Sequence, residues 1–252
     1  MKYIHIIALI VCLLSVATPH RAAASELFDA AVPNKVVELN PHIGVGMSSL
    51  LQNYGTAVPG MSDFLLSPGC MVNFGMDVRF VIRNSIALGT GLVFNINNSR
   101  MAMNLLDNAT GSISSIYLRN HFYDFTVPVY ITCRLNIGRK MQWSLDGGIY
   151  MSHGTGGDVK VSGYTSGVNS LNQPVVTHAS YKHDYFNSKQ PLVNSVKRFD
   201  WGPRIATGLI YNHRYTLNAI FQVSSENLAQ NRGVLDVSYR NISLQFQLGY
   251  LF

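Results

Sequence analysis

The stretch Asn241-Ile242-Ser243-Leu244-Gln245-Phe246-Gln247-Leu248-Gly249-Tyr250-Leu251-Phe252 decides the fold. Ile242, Leu244, Phe246, Leu248, Tyr250 and Phe252 share one parity. Asn241, Ser243, Gln245, Gln247 and Gly249 share the other. A period of two is that of a β-strand with one apolar and one polar face.

Working outward, the same alternation recurs over about 37–47, 70–82, 86–96, 121–135, 141–152, 199–211 and 215–224. The apolar parities carry, for example, Val72, Phe74, Met76, Val78 and Phe80 in the second segment, and Phe125, Val127, Val129 and Ile131 in the fourth. The opposite parities carry glycines, small polar residues and eight charges: Glu38, Asp77, Arg79, Asp124, Arg134, Asp146, Asp200 and Arg204. The connectors are unequal. Tight turns join the segments at 83–85, near 136–140 and at 212–214. Long connectors are expected over about 48–69, 97–120, 153–198 and 225–238, all at the opposite end.

Composition and face chemistry say which parity meets which solvent. Of 252 residues 47% are hydrophobic and 13% charged, where a soluble domain carries about 25% charge. That apolar content excludes disorder. The basic residues are scattered, so a pI near 9.3 does not signal nucleic-acid binding. No apolar run long enough for a transmembrane helix follows the first 20 or so positions. On the apolar parity the aromatics gather in two groups. Phe80, Trp143, Tyr211, Tyr215, Tyr250 and Phe252 lie toward the short turns; Phe94, Phe125, Phe199 and Trp201 lie toward the long connectors. Two aromatic girdles around an apolar band are the pattern of a barrel crossing both lipid interfaces. A soluble lipocalin-like barrel would show the same period with the faces reversed. The expected fold is therefore an all-β, eight-stranded, antiparallel up-and-down transmembrane β-barrel spanning 37–252, with a long extracellular loop at 153–198.

Residues 1–24 read as a secretory signal: Lys2, an apolar run over 6–16, and Ala22, Ala23 and Ala24 before the expected cleavage. Its loss lowers the net charge from +6 to +4 by removing Lys2 and Arg21. Residues 25–36 are expected as a periplasmic segment. Cys70 and Cys133 remain, both on the apolar parity but toward opposite ends of their strands. That separation exceeds the roughly 7 Å a disulfide tolerates, so two free thiols against lipid are expected.

The segments Asn73-Phe74-Gly75-Met76-Asp77-Val78-Arg79, Asp124-Phe125-Thr126-Val127-Pro128-Val129 and Arg198-Phe199-Asp200-Trp201-Gly202, with the terminal Gly249-Tyr250-Leu251-Phe252, resemble the outer-membrane β-barrel domain family that includes PorT-like proteins. The resemblance covers about 37–252 and its motifs are loose. It implies a bacterial outer-membrane location, recognition of the C-terminus by the barrel-insertion machinery, and a link to protein secretion.

No catalytic, cofactor-binding or metal-binding residue is assigned. The interior charges suit a satisfied polar core better than an ion pathway, because an eight-stranded interior is just wide enough for side chains to fill. His121 and His153 near the rim, with Ser152, suggest an outer-leaflet lipid hydrolase, yet no orienting acid accompanies them. His178, His183 and Asp184 match no strong ligand spacing. The 153–198 segment carries Tyr164, Tyr181, Tyr185 and Phe186 with a net charge of +3, a composition suited to a protein partner or to anionic lipid. The sequence thus reads as a non-enzymatic, structural or protein-interacting barrel, an accessory of secretion or envelope assembly. Its expected partners are outer-membrane lipid, the insertion machinery and other envelope proteins, not nucleic acid. A lipid-modifying enzyme and a narrow pore are the alternatives.

Overall fold

Alternating strands in lipid have one stable arrangement: every backbone N–H and C=O must pair, so the sheet must close. The computed structural model, which describes residues 27–53, 61–107, 112–168, 173–186, 196–230 and 238–252, shows that closure. The strands are β1 (Val37–Asn53), β2 (Met61–Arg83), β3 (Ile86–Asp107), β4 (Ser112–Gly138), β5 (Met141–Val168), β6 (Pro174–Asp184), β7 (Phe199–Tyr211), β8 (Tyr215–Val223) and β9 (Ser238–Tyr250). All pairings are antiparallel, and β1 pairs with both β2 and β9. β4 pairs with β5, and β5 with β7. The ring therefore holds eight strands. β6 stands outside it, paired with the outer half of β5 through Asp158↔Asp184 to Val168↔Pro174.

The face assignment holds. Ile43, Val45, Phe74, Met76, Leu92, Ile131, Ile205 and Leu248 are exposed on the outside. Asn40, Asn73, Asp77, Arg79, Thr132, Asp146, Arg204, Gln245 and Gln247 are buried within. Both girdles lie on the outer surface, with Tyr211, Tyr215 and Phe252 exposed at the short-turn end and Phe125, Phe199 and Trp201 at the other. The turns fall at Asn84-Ser85, Arg139-Lys140 and 212–214. Asn212 and His213 adopt φ of 53° and 55°, the left-handed region that Asn and His tolerate better than most residues. The segment before β1 is tied to the first of these turns. Asn84 Nδ2 and the Ala31 amide donate to the Asp29 carboxylate at 2.7 and 2.9 Å. Those bonds hold its pKa below the ordinary value, the backbone donor contributing most. The expected signal peptide at 1–24 lies outside the described residues.

The connectors differ from expectation. Most of 97–120 is strand: β3 continues to Asp107 and β4 begins at Ser112. The 153–198 segment is not one loop, because β5 runs on to Val168 and turns back as β6. These extensions escape a search for apolar-out alternation because their faces are inverted. Above the bilayer the outside solvent is water and the inside is apolar. Leu118, Phe122, Val159 and Val161 point inward and are buried, while Arg119 and Lys160 point outward and are exposed.

Cys70 and Cys133 are free and lie on the outer face. Cys70 pairs with Met47 high on β2, and Cys133 with Ile86 beside the first turn. Alkylation of the unfolded chain without reductant, followed by peptide mapping, should label both cysteines. A peptide pair cross-linked through them would contradict this register.

Candidate functional site

The lumen is filled in three layers by side chains that the strand parity turns inward. Nearest the short turns, Arg134 of β4 forms a two-pronged ion pair with Glu38 of β1, with Nη1 donating to Oε1 at 2.9 Å and Nη2 to Oε2. These strands are not neighbours, so the pair ties opposite walls together. In the middle layer Tyr130 of β4 crosses the lumen. Its hydroxyl donates to Asp77 Oδ2 at 2.8 Å and accepts from Arg79 Nε at 3.3 Å. The Arg204 guanidinium sits 4.4 Å from the centre of the Tyr130 ring and 3.9 Å from Asp146 Oδ2. Gly89 of β3 makes this crossing possible: a Cβ there would stand 2.4 Å from the Tyr130 ring.

The upper polar layer has two acids. Asp124 accepts from Asn95 at 2.7 Å, from Ser152 at 2.7 Å and from Thr126 at 3.0 Å, and also from Asn97. Asp200 accepts from Tyr150 at 2.9 Å and Ser224 at 2.7 Å. Carboxylates so fully engaged with fixed donors act as cross-links between strands rather than as mobile acids or bases.

Above these layers the mouth is closed by an apolar plug. Leu50, Met101, Leu118, Phe122, Val159 and Val161 line it from the walls. Tyr185, Phe186, Val196, Leu228 and Ala229 fold in from the connectors, joined by Tyr239 of β9. The Tyr185 ring stacks on Phe122 with centroids 4.6 Å apart and planes 3° from parallel. Phe186 lies over Gly154, where a Cβ would stand 2.1 Å from the ring. The two connectors pair with each other at Val196↔Ala229. Tyr185 and Phe186 therefore belong to the plug and not to a partner-facing surface, whereas Tyr164 and Tyr181 are exposed. The signal for this is the local change of parity at 116–122, where apolar residues move to the inward register.

The hydrolase constellation does not assemble. Ser152 points into the lumen and is held by Asp124. His153 lies on the outer face opposite Phe125. His121, also outside, bonds Asn98 at 2.7 Å and the Tyr123 hydroxyl at 2.8 Å. The barrel wall thus separates the hydroxyl from both imidazoles. His178 and His183 fall on opposite parities of β6, and among the described residues no group of three potential metal ligands occurs.

A closed ring with a polar, filled interior and an apolar exterior between aromatic girdles is a transmembrane β-barrel of the bacterial outer-membrane type. In fold the chain is similar to several small solved barrels. Ail, the attachment invasion locus protein of Yersinia pestis, aligns over 86% of this chain and 100% of its own at 12% identity, with a TM-score of 0.35. Neisserial surface protein A aligns over 85% and 97% at 9% identity and 0.36, and OprG of Pseudomonas aeruginosa over 90% and 98% at 10% and 0.36. No family model matches the chain, and no curated protein matches it in sequence. The architecture rests on the chain's own ring of strands, and these likenesses add no role to it.

Proposed function

We propose that the protein is a non-enzymatic outer-membrane barrel that acts by presenting a rigid extracellular β-hairpin to a protein partner, as an accessory of secretion or envelope assembly. The role in secretion follows from the PorT-like resemblance. The observation that carries the hairpin reading is the free edge of β6, which among the described residues pairs with β5 alone. An unpaired strand edge offers a row of N–H and C=O groups to an incoming strand. Tyr181 is exposed on β6 itself, and Tyr164 is exposed on the adjoining β5, packed edge-on against Tyr117 of β4 at 6.3 Å. The filled lumen favours work at this rim over passage of a solute.

The fold defines the right deletion. Removing all of 153–198 would strip barrel wall and plug, whereas removing 163–180 takes the outer part of the hairpin, with Tyr164 and most of the β6 edge, and leaves both. The shortened chain is expected to keep the heat-modifiable gel mobility of a folded barrel and to lose its cross-linked partner in cells. A folded variant that retains every cross-link would overturn the proposal.

A further inference from the structure

On the outer surface, just above the upper girdle, the strand registers place four basic residues side by side. Arg100 of β3 pairs with Arg119 of β4, Arg119 with Lys160 of β5, and Lys160 with Lys182 of β6. All four are exposed and line one cleft of about 610 Å³. Like charges directly opposite one another destabilise a sheet, so a ladder of four is an arrangement that a sheet facing only water avoids. Its neutralisation within the chain is partial. Lys182 Nζ lies 3.4 Å from Asp158, the one acid lining the cleft. Asp184, in the row below, already accepts the Phe186 amide at 2.8 Å. Among the described residues no acid is paired with Arg100, Arg119 or Lys160.

We infer that this ladder binds the phosphates of a phosphorylated glycolipid of the outer leaflet. Position decides between a lipid and a soluble polyanion. The ladder continues the lipid-facing parity of the same strands, with Phe94, Ile96, Asn98 and Arg100 along β3. On β4 the succession Phe125, Tyr123, His121, Arg119 passes from hydrocarbon to interface to charge. The Tyr123 ring lies parallel to Phe94 at 6.1 Å and packs edge-on against His121 at 4.9 Å, forming an interfacial step. Four residues of a strand tilted by about 45° lift Arg119 about 9 Å above Tyr123, the level of a sugar-phosphate headgroup. Strands about 4.8 Å apart spread the four cations over about 14 Å, wide enough for two phosphates on one headgroup.

The test uses the full folded chain in detergent micelles, titrated with bisphosphorylated lipid A, its dephosphorylated counterpart, a sulfated oligosaccharide and inorganic phosphate. Lipid A should bind with an affinity that falls steeply with salt. The Arg100→Gln/Arg119→Gln variant removes repulsion and should fold as well as the parent. Its affinity should drop about 30-fold, at about 1 kcal/mol per charge. Lys160→Gln/Lys182→Gln provides a second, independent reading. Equal binding of the dephosphorylated lipid, tighter binding of the sulfated sugar or of phosphate alone, or undiminished binding by both variants would overturn the inference. The 163–180 deletion spares all four residues, so this result and that of the hairpin test are separable.

Discussion

Arg134→Met is expected to destabilise the folded barrel by about 3–5 kcal/mol, measured by reversible urea unfolding in lipid vesicles. Arg134 and Glu38 face each other across the lumen with side chains only 6% and 17% exposed. Removing the guanidinium takes both of its hydrogen bonds from the carboxylate in a confined interior, where Arg79, the cross-strand neighbour of Glu38 on β2, is already engaged with Tyr130. The double variant Glu38→Leu/Arg134→Met should recover most of the loss, because an apolar pair of similar volume has no charge to desolvate. The recovery separates a stranded charge from a mere packing defect, which the second substitution would deepen. A single variant within about 1 kcal/mol of the parent, the range of an exposed ion pair, would show that the pair does not brace the barrel.

Phe122→Ala should open the mouth without opening the barrel. The ring is buried, stacks on Tyr185 and meets Phe186 edge-on at 6.4 Å. Truncating a buried phenylalanine costs about 3–5 kcal/mol, and here the loss falls on the inward-folded connectors. Among the described residues their backbone tethers include Tyr185 N donating to Gly157 O at 3.1 Å, Val196 N to Tyr185 O at 3.2 Å and Lys197 N to Leu228 O at 2.8 Å. Hydrogen exchange at these three amides should accelerate about 100-fold or more, as 1.36 kcal/mol is a factor of ten. The ladder between β5 and β7, for example at Leu145↔Thr207, should keep its protection. Unchanged exchange at Tyr185 and Val196 would mean that the aromatic stack does not hold the plug.

Both experiments probe features of unequal visibility in the sequence. The ion pair's residues are legible as inward-facing charges, since parity alone assigns Glu38 and Arg134 to the lumen. That they meet is not legible. They lie 96 residues apart, and ring closure brings them face to face. The plug is harder still. Phe122 belongs to the apolar set of a helix core or a lipid face equally well, and Tyr185 and Phe186 stand beside lysines in what reads as a solvated loop. The hydrolase reading fails for the opposite reason. Ser152 and His153 are adjacent in sequence, and adjacency in a strand puts side chains on opposite faces.

What the sequence determined by itself is everything that follows from a period of two in a medium of known polarity. Eight apolar-and-polar alternations, three tight turns and two aromatic groups leave a closed barrel with its polar face inward, since lipid admits no open sheet edge. Tertiary structure decided where that rule stops. Above the girdle the outer solvent becomes water, the faces exchange, and the strands continue under a pattern that the membrane rule does not select. The registers that align Arg100, Arg119, Lys160 and Lys182, and the inward fold of Tyr185 and Phe186, depend on which residues lie opposite one another across strands. Pairing of that kind is long-range, and no local period encodes it.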